Sequence, residues 1–451
     1  MPLVAGVDSS TQSTKIQIRD LDTGTLVATG RAPHPIVTPP ISQQDPAAWW
    51  SAFESAWAQA TSEVSPRDIA AISIAGQQHG MVPCNGAGVP IHPAVLWNDT
   101  TAAPDAEWLL QQLPGGAAGW ANACGSVPVA AFTISKLSWL HRTEPEVWGR
   151  MERICLPHDW LTHRLTGEWV TDRGDVSGTG YWSPTSESYR WDLLDIIDSN
   201  ANWADMLPRV LDPVEPAGVW EIDGHEISVG PGTGDNMAAA VGVGILPGDV
   251  VISVGTSGTI FTVADTPTAD PSGAVAGFAD ANGRFLPLVC TLNAAKVTDA
   301  VARLMGVDAT EFDQLALTGP AGAGGVGVVP YFDGERTPNL PDATGSITGL
   351  RSDVSREHVA RATVEGVVGG LLAGREALAA HARIDTDRVW LVGGGARSVA
   401  YRTVLGDMAQ ADVMTSPVDE IVALGACVQA AATFTRTDPD DVRAAWGSLK
   451  A

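Results

Sequence analysis

Apolar and polar positions near the start of the chain follow a strand-like pattern. Leu3 to Val7 is an apolar run and Lys15 to Arg19 alternates as Lys-Ile-Gln-Ile-Arg, which predicts a β-hairpin. The turn between them, Asp8 to Thr14, is built of small polar residues. A further strand is predicted over Leu26 to Ala28. From about Asp45 apolar residues recur three and four apart, with Asp at the cap and Pro in the first turn, so a helix starts there. Ile69 to Ile74 is a buried-strand run that ends in Gly76-Gln-Gln-His-Gly80. Strands, a helix, a strand and a loop in this order favour an α/β fold.

A comparable opening recurs half-way along. Asp249 to Gly255 is an apolar strand, Thr256-Ser257-Gly258 a small polar turn, and Thr259 to Val263 a return strand. The two units suggest two domains of related build packed across a cleft, with the boundary in the Gly/Ala stretch 230–248. Residues 1–243 are expected to form the first domain and 244–451 the second. Val389 to Val392 is a strand followed by Gly393-Gly-Gly395 and a helical run to about Gln410, and a further helix is predicted over Glu420 to Ala432. The Gly-rich run 319–327 carries neither charge nor nucleophile and reads as a loop.

Composition narrows the classes of function. The 451 residues are 45% hydrophobic, so a folded chain is expected, and 27 basic against 52 acidic side chains give a net charge of −25. Such a surface repels nucleic acid and anionic membranes, and neither is an expected partner. Five scattered cysteines form no CxxC or disulfide framework. The first residues lack a basic region and a long apolar run, and no segment approaches the ~20 apolar residues of a membrane helix. A soluble, cytoplasmic protein is expected.

Several local patterns carry candidate chemistry. Asp8, at a strand end, precedes Ser9, Ser10, Thr11, Ser13 and Thr14. Small residues let backbone N–H groups approach a phosphate, and a carboxylate there can hold Mg²⁺ through water, although the same residues also make an ordinary hairpin turn. Gly255-Thr256-Ser257-Gly258 is a second such turn. Asp235 and Asn236 follow Gly230-Pro-Gly-Thr-Gly234 where a helix begins. Asp235 reads as an N-cap or as a general base, kept ionised by the helix N-terminus, with the glycines leaving room for substrate. Gln77, Gln78 and His79, with Trp97, Asn98 and Asp99, lie at strand ends and suit a polyhydroxylated ligand, though both stretches also read as polar turns. Gly393-Gly394-Gly395-Ala-Arg-Ser398 nearly fits GxGxxG, and a nucleoside pocket at this strand–helix turn needs fewer coincidences than a dinucleotide site. There is no P-loop, no HExxH, no Cys/His zinc spacing and no GxSxG elbow.

Together these residues resemble the FGGY carbohydrate kinases of the actin-like, ribonuclease-H-like ATPase superfamily. Gly345-Ser-Ile-Thr-Gly-Leu350 followed by His358 to Glu365 fits the family's C-terminal signature, and Thr133, Lys136, Leu137, Trp139 and Leu140 fit a looser N-terminal one. Ketopentose-type stretches are Ser42 to Pro46, Leu96 to Asp99, Gly234 to Asn236 and Pro330 to Pro338. The resemblance implies two ribonuclease-H-like domains around a central cleft and phosphoryl transfer from ATP, with Mg²⁺, to O5 of D-xylulose. It implies Asp235 as catalytic base, Asp8 at the Mg²⁺–phosphate end, and Gln78 and His79 on the sugar. It places Ser10, Thr11, Lys15, Gly255, Thr256 and Ser257 near the phosphates, and Gly394, Gly395 and Ser398 near the adenosine. The partners implied are a sugar and ATP, and a homodimer is compatible with the reading. Gln78 stands where Met is common and Ser10 where Gly is common. Alternatives are a kinase for ribulose, a deoxyketose or gluconate, or an actin-type ATP-driven switch.

Overall fold

In the computed structural model, which describes residues 2–447, the predicted hairpin is formed by β1 (Leu3–Ser9) and β2 (Ser13–Asp20), with Asp8 opposite Lys15. The chain turns back through β3 (Leu26–Pro33) into α1 (Pro46–Ala60), where the Asp45 carboxylate caps the first turn by accepting from the Ala47 N–H. Trp49, Phe53 and Trp57 of α1 are buried against the sheet, so the three-and-four spacing read from the sequence is the core-facing stripe. Next come β4 (Ile69–Gly76), α2 (Thr133–Thr143), α3 (Pro157–Thr166), the single turn α4 (Arg173–Val176), β5 (Gly218–Ile222), β6 (His225–Val229), the two-residue β7 (Thr233–Gly234) and α5 (Asp235–Val243). The first sheet has the order β5–β6–β4–β1–β2–β3, with β7 also paired to β4.

The second half repeats the plan. Its strands are β8 (Val250–Val254), β9 (Gly258–Thr262), β10 (Ala276–Ala279) and β11 (Phe285–Thr291), then β12 (Arg388–Val392) and β13 (Asp412–Thr415). Their helices include α6 (Ala295–Met305), α7 (Arg356–Ala379), α8 (Val399–Ala409) and α9 (Ile421–Thr435). The sheet order is β10–β11–β9–β8–β12–β13. Antiparallel strands, three in the first half (β1 to β3) and four in the second (β8 to β11), are continued by parallel ones, β4 beside β1 and β6 beside β4, and β12 beside β8 and β13 beside β12. The fold is therefore α/β, with two sheet-containing units of related topology. Among the described residues no helix is long and apolar enough to cross a membrane.

Helix α9 belongs to the second half in sequence but packs on β1, β4 and α5 of the first. Two glycines make this close approach possible. A Cβ on Gly6 of β1 would run into the Ala423 carbonyl, and a Cβ on Gly425 into the Ala238 carbonyl of α5. From α9, Gln429 accepts from the Ser73 hydroxyl at 2.6 Å and donates to the Gly232 carbonyl at 2.9 Å. A helix near the C-terminus thereby holds the segment that leads into Asp235.

Candidate active site

Strand register brings two carboxylates together. β1 and β7 both run parallel to β4, with Asp8 and Thr233 each opposite Ala75, and Ser9 and Gly234 each opposite Gly76. Asp235 follows directly and opens α5 with Gly234 as its N-cap. Asp8 is 3% exposed. Its Oδ2 accepts from Lys15 Nζ at 3.1 Å, and its buried Oδ1 has no protein partner. Lys15 also pairs with Glu420, just before α9, at 2.7 Å. Burial lifts the Asp8 carboxyl above its ordinary value against the pull of Lys15. Burial first, and then the Asp8 charge, lift Asp235 to about 7. The helix N-terminus therefore does not hold Asp235 fully ionised at neutral pH, as the sequence reading expected, because desolvation outweighs it.

Asn236 fixes this carboxylate. Its backbone N–H and its Nδ2 both donate to Asp235 Oδ1, at 2.8 and 2.9 Å. The same Nδ2 donates to Gln78 Oε1 at 2.7 Å, and its Oδ1 accepts from the Thr259 hydroxyl of β9 at 3.0 Å. One amide thus joins Asp235, the strand end of the first half and a strand of the second.

The glycines before Asp235 serve a different purpose from the one expected. A Cβ on Gly230 would meet Ser73, one on Gly232 would meet the His158 ring, and one on Gly234 would meet the Gln78 side chain. They admit the protein's own packing rather than substrate.

The residues expected to contact the sugar converge beyond β4. Thr11 Oγ1 donates to Gln77 Oε1 at 3.0 Å and accepts from Trp97 Nε1 at 2.9 Å. The Thr11 hydroxyl, expected at the phosphates, is thus engaged by Gln77 and Trp97. Asp99 also departs from expectation. Its Oδ2 accepts from the Ser42 N–H at 2.7 Å, and its Oδ1 from the Thr101 N–H and hydroxyl. The Asp99 side chain is buried and both of its oxygens hold its own loop. Gln77 Nε2, Gln78 Nε2, His79 Nδ1 and Asn98 Oδ1, like Asp8 Oδ1, are buried without a protein partner. Orphaned polar atoms of this kind are rare in folded proteins and mark a site built for a polar ligand.

On the opposite wall Gly255 and Thr256 are exposed at the tip between β8 and β9. Their carbonyls accept from the Ala295 and Ala294 N–H groups at the start of α6, at 2.9 and 3.2 Å. β8 pairs with β12 up to Ser253 opposite Val392, so Gly394 lies beside this tip. Gly395 packs against Val254 too closely for a Cβ. Ser398 caps α8 and donates to Asp313 at 2.8 Å, so its hydroxyl is already engaged. A cavity of about 420 Å³, lined in part by Lys296, Arg303 and Phe332, opens beside α6. Among the described residues no group of His, Cys, Asp or Glu is arranged as a metal centre of three or more protein ligands.

Two halves of related topology with a carboxylate pair between them match what comparison with known proteins finds. Residues 3–242 fit the sequence model of the N-terminal domain of the FGGY family of carbohydrate kinases, and residues 250–434 that of its C-terminal domain. The chain belongs to the FGGY family of carbohydrate kinases. It is 43% identical over 451 residues to the xylulose kinase of Streptomyces rubiginosus, covering 99% of this chain and 91% of that protein. The crystal structure of xylulose kinase from Bifidobacterium adolescentis shares 40% identity, with a TM-score of 0.85, over 97% of this chain and 94% of that one. A kinase structure from Brucella ovis is 26% identical with a TM-score of 0.90, covering 100% of this chain and 93% of that one.

Three features of this FGGY kinase were not singled out from sequence chemistry. Lys136 is fully buried, and its Nζ donates to the His79 and Ala131 carbonyls, each at 2.5 Å, while Thr133 Oγ1 adds a bond to the His79 carbonyl at 3.2 Å. These bonds pin His79 in a left-handed conformation, φ 64°. Burial pushes the Lys136 ammonium down to about 7. Second, His158 lies beneath β4 and β7, with Nε2 at 3.2 Å from Asp159, 3.3 Å from Asp172 and 3.4 Å from Asp175. Burial opposes its charge, but the three carboxylates outweigh burial and lift it to about 9. Asp172 also accepts from the Thr233 hydroxyl at 2.7 Å, which ties this cluster to the strand that carries Asp235. The third feature is Arg336, from the second half, whose guanidinium lies 5.8 Å from the Phe132 ring centroid of the first.

Proposed function

We propose that this FGGY kinase transfers the γ-phosphoryl group of ATP to O5 of D-xylulose. The observation that carries the reading is Asp235, a carboxylate with a pKa of about 7 that faces Asp8 and is held by Asn236 beside Gln78. A general base works best when its pKa lies near the operating pH, and kinases of this kind rely mainly on positioning and electrostatics. The choice of sugar is supported by the 43% identity to a protein named xylulose kinase. Gln78, His79, Trp97 and Asn98 offer the donors and acceptors for the sugar hydroxyls.

Asp235 accepts the O5 proton as that oxygen bonds to the γ-phosphorus, the bond to the β–γ bridging oxygen breaks, and ADP leaves. Lys15, the turn at Ser10 and the tip Gly255-Thr256-Ser257 face the transferring phosphates. Gly394 and Gly395, with the end of α8 at Ser398, border the adenosine. Asp8, with its partnerless Oδ1, and Asp235 are oxygen donors suited to Mg²⁺ held through water. Such an ion neutralises charge on the β- and γ-phosphates. With a division at 243/244, the base and the Mg²⁺ end belong to the first domain and the nucleotide walls to the second. The test is a coupled ADP-release assay on D-xylulose, D-ribulose, L-ribulose, L-fuculose, D-gluconate and glycerol. D-xylulose is expected to give the highest kcat/KM. A tenfold advantage for any competitor would leave a kinase with a different sugar.

A further inference from the structure

The loop that carries Arg336 is anchored by its neighbour. Glu335 is 3% exposed. Its Oε1 accepts from the backbone N–H groups of Leu292 and Arg336, at 2.6 and 2.7 Å, and its Oε2 from Asn293 Nδ2 at 2.9 Å. Both oxygens are thereby committed to holding the loop on the end of β11. Among the described residues no carboxylate lies within ion-pair distance of the Arg336 guanidinium, and the buried Cys290 thiol beside it is only a weak acceptor.

Its surroundings say where it points. The group lies over Phe132, which packs edge-on against the His79 ring at 5.0 Å, and Phe278 of the second half closes on the same ring at 5.4 Å. The imidazole of His79 is kept neutral by burial first, and then by the Lys136 and Arg336 charges. Arg336 therefore reaches across the cleft to the sugar-side residues, where His79 Nδ1 and Gln78 Nε2 also lack protein partners.

We propose that Arg336 is a substrate-contacting and specificity-determining residue, delivered by the second half, that donates hydrogen bonds to the C2 carbonyl oxygen of the open-chain ketose and an adjacent hydroxyl. This rests on the ketose kinase reading above. A guanidinium has donors only, arranged as a planar fork. Of the oxygens on an open-chain ketopentose, the carbonyl is the one that can only accept. Asp235 acts at O5, and a contact near His79 falls towards the other end of the sugar. The two halves then hold the substrate from both sides, and the guanidinium distinguishes a ketose from the polyol of the same carbon skeleton.

The experiment compares wild type, Arg336→Met and Arg336→Lys in kcat/KM for D-xylulose, KM for ATP, and the inhibition constant of xylitol competing with D-xylulose. Arg336→Met is expected to lower kcat/KM for D-xylulose about 10–100-fold, as loss of a charge-assisted hydrogen bond does. It should weaken xylitol by less than about threefold and leave KM for ATP unchanged. Arg336→Lys, which keeps a single donor group and the aliphatic stem, is expected to fall between the two. Equal losses on D-xylulose and xylitol, or unchanged kcat/KM for D-xylulose in both variants, would overturn the assignment while the kinase reading stands. A wild-type enzyme that does not phosphorylate D-xylulose would overturn both. If Arg336→Met unfolds, the Lys variant decides alone, through a loss on D-xylulose greater than the loss on xylitol.

Discussion

The two strand–turn–strand units share a backbone plan and differ in chemistry. In the first, Asp8 and Lys15 face each other across the hairpin, Asp8 is almost fully buried, and Lys15 is also tied to Glu420. In the second, Val254 faces Gly258, no charged side chain is present, and Gly255 and Thr256 are exposed. The first turn thus holds charge in a desolvated place where it acts strongly on Asp235. The second offers backbone N–H groups and a hydroxyl at an open tip. Under the proposed function, the first frame serves the reacting oxygen and the cation, and the second serves the nucleotide.

Substitutions in the two halves should therefore have very different effects. Asp235→Asn is the most severe. It should fold, bind sugar and ATP, and lose about 10²–10⁴-fold in kcat, the range for a removed general base. Wild-type kcat/KM should fall as pH drops below about 7, where the carboxylate takes up its proton, and the residual activity of the variant should lack that limb. Stability follows the opposite sign. The folded pKa of about 7 lies above the ~3.9 of an unfolded Asp, so the stability present at pH 4 is progressively lost as pH rises to 7. Thermal melts should then show the Asn variant matching wild type at pH 4 and exceeding it at pH 8.

Asp8→Ala comes next. Removing a preorganised charge from the phosphate end is expected to lower kcat by about 10²–10³-fold. Calorimetric titration with D-xylulose alone should remain close to wild type. Loss of sugar binding in a well-folded Asp8→Ala protein would place this residue elsewhere in the cycle. Thr256→Ala should have the smallest effect, because one exposed hydroxyl on a backbone cradle contributes about 1 kcal/mol. KM for ATP should rise less than tenfold with kcat nearly unchanged. An effect as large as that of Asp8→Ala would erase the distinction between the turns.

Much of the frame was legible because it is written in local signals. The Leu3–Val7 run, the Asp45 cap with Pro46, and the Asp235 helix start each depend on residues a few positions apart, and each lies where the pattern predicts. The parts that escaped depend on contacts distant in sequence. The bond from Lys136 to the His79 carbonyl spans 57 residues, and nothing in the Gln-Gln-His stretch announces it. The loop-holding bond of Asp99 to Ser42, 57 residues away, was equally hidden in the sequence. The glycines before Asp235 looked like space for substrate, and the side chains of Ser73, His158 and Gln78 account for them instead. Helix α9 was visible as a helix, but its return to the first sheet is a matter of surface fit at Gly6 and Gly425.

The most direct measurement is the identity of the product. The purified enzyme is incubated with ATP, Mg²⁺ and D-xylulose, and the phosphosugar is examined by proton–phosphorus correlation NMR. Stoichiometric ADP and a single phosphate coupled to the C5 protons are expected, because Asp235 deprotonates O5 while Arg336 and His79 hold the other end of the ketose. A phosphate coupled to the C1 protons, or ADP formed with no phosphosugar at all, would contradict the proposed function.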